Sequence, residues 1–180
     1  MISKKYKFIF VQINKTGNTS VRKTLLPESP RENNHQFITY YKKRFPKEFD
    51  SYFKFTFVRN PYDKVISQYF FRKKFDVQSS KNMTFNEFIR NPVGRPLQNQ
   101  LDWITINNRV MVDFIGRFER LQQDFNKICD ILEIERKPLI HLNKSDHEHY
   151  SRYYDDESRQ IVEKIFAKDF EYFNYKFEKF

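Results

Sequence analysis

Three short apolar runs rich in Phe, Ile and Val, each followed by a helical pattern, constrain the fold more than any other feature. They cover residues 8–13, 53–58 and 110–115. Runs of this length, bounded by turn-forming residues, predict buried strands. Strands that alternate with helices predict an α/β fold, with a central parallel sheet that has helices on both faces. A chain of 180 residues suits one domain, so we expect a single domain over residues 1–180.

Helical patterns fill the segments between and after these runs. Pro61 can occupy the first position of a helix that carries apolar residues at core-facing spacing to about Lys74. Thr84, with Glu87 three residues later, predicts a capped helix start. The other predicted helices run through Leu25 and Leu26, from about 36 to 44, from 120 to 132 and from 155 to 173.

Charge and cysteine content restrict the possible partners and the compartment. The formal net charge is +10, which favours an anionic partner such as a nucleic acid, an anionic membrane, a polyanionic sugar or a phosphate-rich cofactor. Charge alone does not choose among them. Cys129 is the only cysteine, which excludes an intramolecular disulfide and predicts a reducing, cytoplasmic location. Because no apolar run approaches the roughly 18 residues that span a bilayer, we expect no membrane span.

The first motif with chemical content follows the first apolar run and reads Lys15-Thr16-Gly17-Asn18-Thr19-Ser20. A loop between a strand and a helix points backbone N–H groups and the positive helix end at an anion. Gly17 permits a positive φ, the hydroxyl residues add donors, and Lys15 adds a charge. An ordinary strand–turn–helix with a Ser/Thr cap fits the same residues, so the motif alone leaves both interpretations open.

The second motif begins at the end of the second apolar run, with Arg59-Asn60-Pro61, and includes Ser67 on the helix that follows. Ligands bind at the carboxyl ends of strands in open α/β sheets. An arginine there can bind a phosphate with two parallel hydrogen bonds, and a serine hydroxyl can add a third. An arginine that pairs locally and a serine on a helix face remain the alternative for this motif alone.

Together the two motifs resemble the sulfotransferases that depend on 3′-phosphoadenosine 5′-phosphosulfate (PAPS), in the family that includes the heparan and chondroitin sulfotransferases. That family carries a Lys-Thr-Gly-x-Thr-Ser loop, followed by Arg-Asn-Pro and a serine six residues beyond the proline. The similarity continues in residues 112–119, 142–145 and 169–177, and so extends from about Phe8 to Phe177. Two departures are visible: Asn18 replaces a second glycine, and Gln12-Ile13-Asn14 replaces the His-x-Pro of many relatives.

The resemblance implies a P-loop-nucleotide-kinase-like sulfotransferase fold and transfer of a sulfonate group from PAPS to a hydroxyl acceptor. The expected acceptor is an oligo- or polysaccharide, with no metal requirement and no nucleic-acid partner. Lys15 is the implied catalytic cation at the bridging oxygen. Arg59 and Ser67 are implied to bind the 3′-phosphate, and Lys144 to close over the nucleotide. The loop residues implied to hold the 5′-phosphosulfate are Lys15, Thr16, Gly17, Asn18, Thr19 and Ser20.

His35 lies between the two motifs in the sequence. In the related heparan 2-O-sulfotransferases, a histidine at the corresponding place looks like the base that deprotonates the acceptor hydroxyl. An unperturbed imidazole has a pKa of about 6.5, which suits that task. A surface histidine in a polar loop is the alternative, and Glu28, Glu32 and Asp63 are the substitute candidates for the base.

Two other functions are compatible with parts of the sequence. A nucleotide-dependent kinase would use a similar sheet, but its loop has the form Gly-x-x-x-x-Gly-Lys-Ser/Thr. Here Lys15 precedes Gly17 and no second glycine follows. A non-enzymatic protein that binds polyanions would explain the positive charge and the many aromatic residues, although Lys and Arg are spread along the chain rather than clustered.

Overall fold

The structure is a computed structural model that describes residues 1–27, 35–75, 82–92, 94, 96–140 and 147–179. The chain forms two compact units. The first comprises Met1–Arg59 and Leu101–Asn143, and the second comprises Asn60–Gln100 and Lys144–Phe180. A single domain over residues 1–180 stays a prediction.

Among the described residues, the strands all belong to the first unit, whereas helices occur in both units. The strands are β1 (Ile2–Ser3), β2 (Phe8–Val11), β3 (Phe53–Val58), β4 (Thr105–Ile106), β5 (Arg109–Val110) and β6 (Phe114–Arg117). The helices are α1 (Asn18–Leu25), α2 (Ile38–Arg44), α3 (Pro46–Ser51), α4 (Pro61–Phe75), α5 (Phe85–Arg90), α6 (Leu121–Ile131), α7 (Asp156–Ile165) and α8 (Ala167–Phe173).

The main sheet has the strand order β1-β2-β3-β6. β2, β3 and β6 are parallel, with Phe10 opposite Phe55 and Phe57 opposite Gly116, whereas β1 pairs antiparallel with β2 at the edge. This confirms the predicted α/β class with a central, mostly parallel sheet and flanking helices. The parallel strands direct their carboxyl ends to the same edge of the sheet.

Aromatic side chains fill the core beneath one face of this sheet. Strand residues two apart share a face, so Phe8 and Phe10 on β2 pack with Phe55 and Phe57 on β3, and the rings of Phe10 and Phe55 stack 4.7 Å apart. The helices that cover these rings contribute Val21 and Leu25 from α1 and Phe125, Ile128 and Cys129 from α6.

The third predicted strand begins later than the sequence pattern suggested. Residues 109–110 belong to a two-stranded hairpin with Thr105–Ile106, and the sheet strand starts only at Phe114. Asn107 and Asn108 have φ values of 49° and 59°, as a tight two-residue hairpin turn requires. The prediction was wrong because it did not read Asn-Asn as a turn signal.

The second unit contains its own aromatic core, in which α4, α5 and α7 take part. α4 starts at Pro61 as predicted, and Asn60 supports that start by accepting the Tyr62 N–H at 3.1 Å. The predicted cap of α5 is present, since Thr84 and Glu87 form a reciprocal capping box. None of the helices in the described ranges combines the length and apolar character that a bilayer crossing requires.

The predicted helix over 155–173 is in fact two helices that meet at Phe166. The break allows Asp169 of α8 to accept hydrogen bonds from the backbone N–H of Gln100 at 2.8 Å and from its side-chain amide at 3.1 Å. Phe166 is fully buried at the break. The apolar periodicity of residues 155–173 continues across both helices, so the sequence pattern alone did not mark the interruption.

A buried carboxylate holds the end of β6 to α6. The side chain of Asp124 is fully buried and accepts hydrogen bonds from the Arg117 N–H at 2.9 Å, Arg120 Nε at 2.7 Å and Lys127 Nζ at 3.0 Å. Burial by itself raises the pKa of Asp124, but the hydrogen bonds from Arg120, the Arg117 N–H and Lys127 outweigh burial and hold the pKa below its ordinary value.

We therefore expect Asp124→Asn to lower the free energy of unfolding by about 1.5–3 kcal/mol, the range for a hydrogen bond to a charged group. In the wild type this contribution is complete above the unfolded pKa of about 3.9 and is lost as the pH falls through the lower folded value. Urea unfolding at pH 7 and between pH 5 and 2 measures both effects.

Asp130→Asn is the matched control, because Asp130 pairs with Arg136 at the exposed surface of the same helix. Exposed ion pairs contribute little to stability, so the free energy of unfolding should fall clearly less in Asp130→Asn than in Asp124→Asn. Equal losses for the two variants would contradict the role given to the buried carboxylate.

Candidate active site

The loop after β2 has an unusual backbone conformation. Lys15 has a φ of 65° and Gly17 a φ of 81°, so two left-handed residues are separated by one residue. A left-handed conformation costs a residue with a side chain roughly 1–2 kcal/mol, and the loop imposes it on Lys15. A backbone curled in this way directs successive N–H groups towards a common centre, which is the geometry of anion-binding nests.

Gly17 cannot be replaced by a larger residue without movement of its neighbours. A Cβ atom on Gly17 would lie 2.7 Å from Leu121 Cδ2 and 3.3 Å from the ring of Phe118. Gly17 is also the N-cap of α1, where no side chain caps the helix and no acidic residue occupies the first turn. No cap side chain therefore competes with an anion for the first N–H groups of α1.

The side chains of Thr16 and Asn18 stabilise the loop internally. The Thr16 hydroxyl lies 2.8 Å from the Ile13 carbonyl oxygen and 3.1 Å from Asn18 Oδ1, and Asn18 Nδ2 also donates to the Ile13 carbonyl. Asn18, which replaces the family's second glycine, thus ties the loop to the end of the strand. Contacts from these two residues to a phosphate would come from their backbone N–H groups.

Arg59 follows the last residue of β3 and connects the loops after all three parallel strands. Its side chain is only 7% exposed, and its Nη1 donates to the Lys15 carbonyl at 3.2 Å. Its guanidinium carbon lies 3.9 Å from the ring centroid of Phe118, just after β6. These contacts fix the plane of the guanidinium. A planar donor group held in this way can bind a phosphate with two parallel hydrogen bonds.

His35 lies at the same end of β2. Its Nδ1 is 2.9 Å from the Gln12 carbonyl oxygen, and a carbonyl can only accept a hydrogen bond, so Nδ1 carries the proton. Nε2 is then the basic nitrogen of the neutral imidazole. The ring also meets Trp103 edge to face, with centroids 6.4 Å apart. The hydrogen bond places the His35 ring against Gln12, which lies three residues before Lys15 in the sequence.

A sequence model of the sulfotransferase family matches residues 1–176, a range that contains Lys15, His35 and Arg59. The chain belongs to the sulfotransferase family. Both the resemblance and the predicted enzyme class are confirmed. An uncharacterized protein of Archaeoglobus fulgidus is 32% identical over 108 residues, which are 59% of this chain and 88% of that relative.

The remaining residues predicted for the sulfotransferase site occupy different parts of the chain. Thr19 and Ser20 lie in the first turn of α1, and the Ser20 N–H donates to the Gly17 carbonyl at 3.1 Å. Ser67 is buried in the second turn of α4, in the second unit, and Asp63 lies in the first turn of the same helix. The predicted residues that lie outside the described part of the chain are Glu28, Glu32 and Lys144.

Three residues that lie against the predicted site residues of the sulfotransferase were not singled out from the sequence. Phe118 carries the ring beneath Arg59, Leu121 packs on Gly17, and Trp103 contacts His35. Phe118 belongs to the segment 112–119, which resembles the family, and this resemblance is the signal that could have identified it. Leu121 and Trp103 are ordinary apolar residues of amphipathic segments, and nothing in their spacing distinguishes them from core residues.

A cavity of about 380 Å³ occurs in the second unit and contains none of the predicted site residues. Asp155, which lines it, accepts hydrogen bonds from the Ser158 side chain and N–H as the cap of α7, and these bonds lower its pKa to about 2. The carboxylate is therefore committed to capping. Within the ranges that the structure describes, no three His, Cys, Asp or Glu side chains form a group that could hold a metal ion.

Gly17→Ala should weaken anion binding by the loop as well as stability. The new Cβ meets Leu121 and is strained at a φ of 81°, so the nest must open to accommodate it. We expect a lower melting temperature and a much smaller stabilisation by adenosine 3′,5′-bisphosphate (PAP), measured by thermal unfolding with and without PAP.

Gly94→Ala is the control for strain alone. Gly94 has a φ of 84° and its added Cβ would meet the Arg72 guanidinium in the second unit. That variant should lose stability but keep the full shift with PAP. A full PAP shift in Gly17→Ala would show that the loop does not bind the anion.

Proposed function

We propose that this sulfotransferase takes the sulfonate group from PAPS and transfers it to a hydroxyl group of a carbohydrate. The observation that carries the proposal is the arrangement at the end of β2. A loop with two left-handed residues, Lys15 and Gly17, follows the strand there, and the carbonyl of Gln12 on the same segment holds Nδ1 of the His35 imidazole. A donor anion and a proton-bearing acceptor would thus meet at one strand end.

Lys15 and the loop N–H groups serve the donor side of the reaction. As the sulfur–oxygen bond of PAPS breaks, negative charge develops on the oxygen that stays with the phosphate. A positioned ammonium and backbone N–H groups stabilise that charge more in the transition state than in the bound donor. The loop residues from Lys15 to Ser20 would hold the 5′-phosphosulfate, with Thr16 and Asn18 acting through their backbone.

Arg59 is proposed to bind the 3′-phosphate. Its carbonyl and aromatic contacts orient the guanidinium before the nucleotide arrives, so little side-chain entropy is lost on binding. Ser67 is proposed to add a hydroxyl donor to the same phosphate, and Lys144 to close over the nucleotide, as the resemblance implies for both.

His35 is proposed as the base on the acceptor side. Its Nε2 would take the proton while the acceptor oxygen attacks sulfur in line with the leaving phosphate oxygen. A new oxygen–sulfur bond forms, the sulfur–oxygen bond to PAPS breaks, and PAP leaves. A saccharide acceptor rests on the resemblance to the heparan and chondroitin sulfotransferases, and a cytoplasmic location rests on the single, buried Cys129.

Arg59→Lys tests the nucleotide assignment. Lysine keeps the charge but loses the planar pair of donors, so PAP affinity should fall by about tenfold or more, as expected for a lost hydrogen bond to a charged group. The affinity for adenosine 5′-phosphate, which has no 3′-phosphate, should fall much less. Isothermal titration calorimetry with both nucleotides measures the difference.

Arg90→Lys is the matched control, since Arg90 forms an exposed pair with Glu157 in the second unit. It should leave both affinities unchanged. Equal losses for the two nucleotides in Arg59→Lys would remove Arg59 from the 3′-phosphate, and a thermal shift with ATP that exceeds the shift with PAP would favour a kinase.

Replacement of Lys15 or His35 tests the reaction itself. Lys15→Ala should lower turnover more than PAP affinity, because the charge that Lys15 faces grows during the reaction. His35→Ala should leave PAP affinity nearly unchanged and lower turnover on the order of a hundredfold or more. Activity rises with pH while the base loses its proton, so the variant should also lose the ascending limb of the pH profile.

The assay is transfer from labelled PAPS to a panel of saccharides. His147→Ala is the control, because the Nδ1 of His147 likewise lies near a backbone carbonyl, at 2.7 Å, but in the second unit. A His35→Ala protein with full activity would exclude this base and leave Glu28, Glu32 and Asp63 as candidates.

A further inference from the structure

Two residues that contact His35 carry buried N–H donors for which the described part of the chain provides no hydrogen-bond acceptor. The Gln12 side chain is 3% exposed and Trp103 is 4% exposed. In the part of the chain that the structure describes, neither Gln12 Nε2 nor Trp103 Nε1 has a partner. Buried donors are almost always paired, and an unpaired one is costly. Two such donors, on two residues that contact the same side chain, therefore require an explanation.

Both donors belong to residues that contact the His35 imidazole. The backbone carbonyl of Gln12 lies 2.9 Å from His35 Nδ1, and the indole of Trp103 meets the ring edge to face at 6.4 Å. Gln12 also lies three residues before Lys15, on the segment that leads from β2 into the loop. Both residues that carry the unpaired N–H groups thus contact the proposed base, and Gln12 lies on the segment that leads to the proposed PAPS-binding loop.

An aromatic surface adjoins them. Phe37 stacks on Trp103 with ring centroids 4.5 Å apart and an interplanar angle of 8°. Phe37 is 38% exposed, so one aromatic wall of this region reaches solvent while the indole N–H behind it is buried. An aromatic face next to N–H donors suits a ring that has an apolar face and oxygen atoms at its edge.

We infer that Gln12 and Trp103 form an acceptor subsite in which both N–H groups bind an oxygen atom next to the hydroxyl that is sulfonated. The inference rests on the proposed function and deepens it. The subsite selects a polyhydroxylated ring over an isolated alcohol, because only the former carries a second oxygen beside the reacting one. A site built to donate hydrogen bonds discriminates strongly against a ligand without the matching acceptor.

The unpaired donors also make a prediction about the ligand-free protein. Gln12→Leu removes a buried donor that has no partner in the described structure, so the variant should melt at the same temperature as the wild type or higher. If Gln12 served only the fold, Gln12→Leu would instead lower the melting temperature. Trp103→Phe keeps the aromatic contact with Phe37 and removes the N–H.

The experiment compares transfer from PAPS to methyl glucoside, to its singly deoxygenated analogues and to cyclohexanol, with larger neutral and uronic-acid oligosaccharides as further acceptors. Wild-type protein should prefer each sugar to the analogue that lacks the neighbouring oxygen, and cyclohexanol should be the poorest acceptor. In Gln12→Leu and in Trp103→Phe, kcat/KM for the sugar should fall by roughly three- to tenfold, the scale of one neutral hydrogen bond. The preference over the deoxygenated analogue should shrink by the same factor.

PAP affinity should be unchanged in both variants. Thr24→Val is the matched control, because the Thr24 hydroxyl is another buried donor without a partner in the described structure but lies near the end of α1. It should change neither acceptor kinetics nor selectivity.

Two results overturn the inference in distinguishable ways. An active wild type whose variants keep full selectivity for the neighbouring oxygen excludes the subsite and leaves the proposed function intact. A wild type that binds PAP but transfers sulfonate to none of the saccharides excludes the carbohydrate acceptor, and the subsite falls with it.

Discussion

The parallel pairing of β2, β3 and β6 is the constraint on which the active site depends. It places the loop after β2, Arg59 after β3 and Phe118 after β6 at the same edge of one sheet. Thr56 on β3 reinforces that edge, since its buried hydroxyl donates to the carbonyl of Val11 at 2.7 Å. A shift of one residue in either pairing would reverse the faces of the strand and move Arg59 from the Lys15 carbonyl.

The conformation of the loop after β2 is stabilised by contacts of the loop's own side chains. Thr16 and Asn18 satisfy the Ile13 carbonyl, Gly17 accepts the close approach of Leu121, and Lys15 is held in a left-handed conformation. In the proposed function, the backbone N–H groups are therefore the part of the loop that binds the donor phosphate. A backbone fixed in advance does not need to reorganise when charge develops, which is the basis of electrostatic catalysis.

The first unit also retains features that stability alone would not favour. The left-handed backbone of Lys15 and the buried N–H groups of Gln12 and Trp103, which have no partner in the described structure, each cost free energy. The buried carboxylate of Asp124 at the end of β6, by contrast, accepts hydrogen bonds from three donors. We propose that Lys15, Gln12 and Trp103 are retained for ligand binding and Asp124 for the stability of the fold.

The sequence by itself determined the class of fold and, through its two motifs, the sulfotransferase family, because these depend on local patterns. Strand–helix alternation, the start of α4 at Pro61 and the capping box at Thr84 are all set by residues close together in the chain. Only the tertiary structure decided that Asn18 ties the loop to Ile13, that Gln12 fixes the tautomer of His35 and that Trp103 presents an unpaired N–H. The hairpin at Asn107 and the break at Phe166 were likewise missed. Partners such as Gln12 and His35, or His35 and Trp103, are separated by tens of residues, and a hydrogen bond between distant residues leaves no periodicity in the sequence.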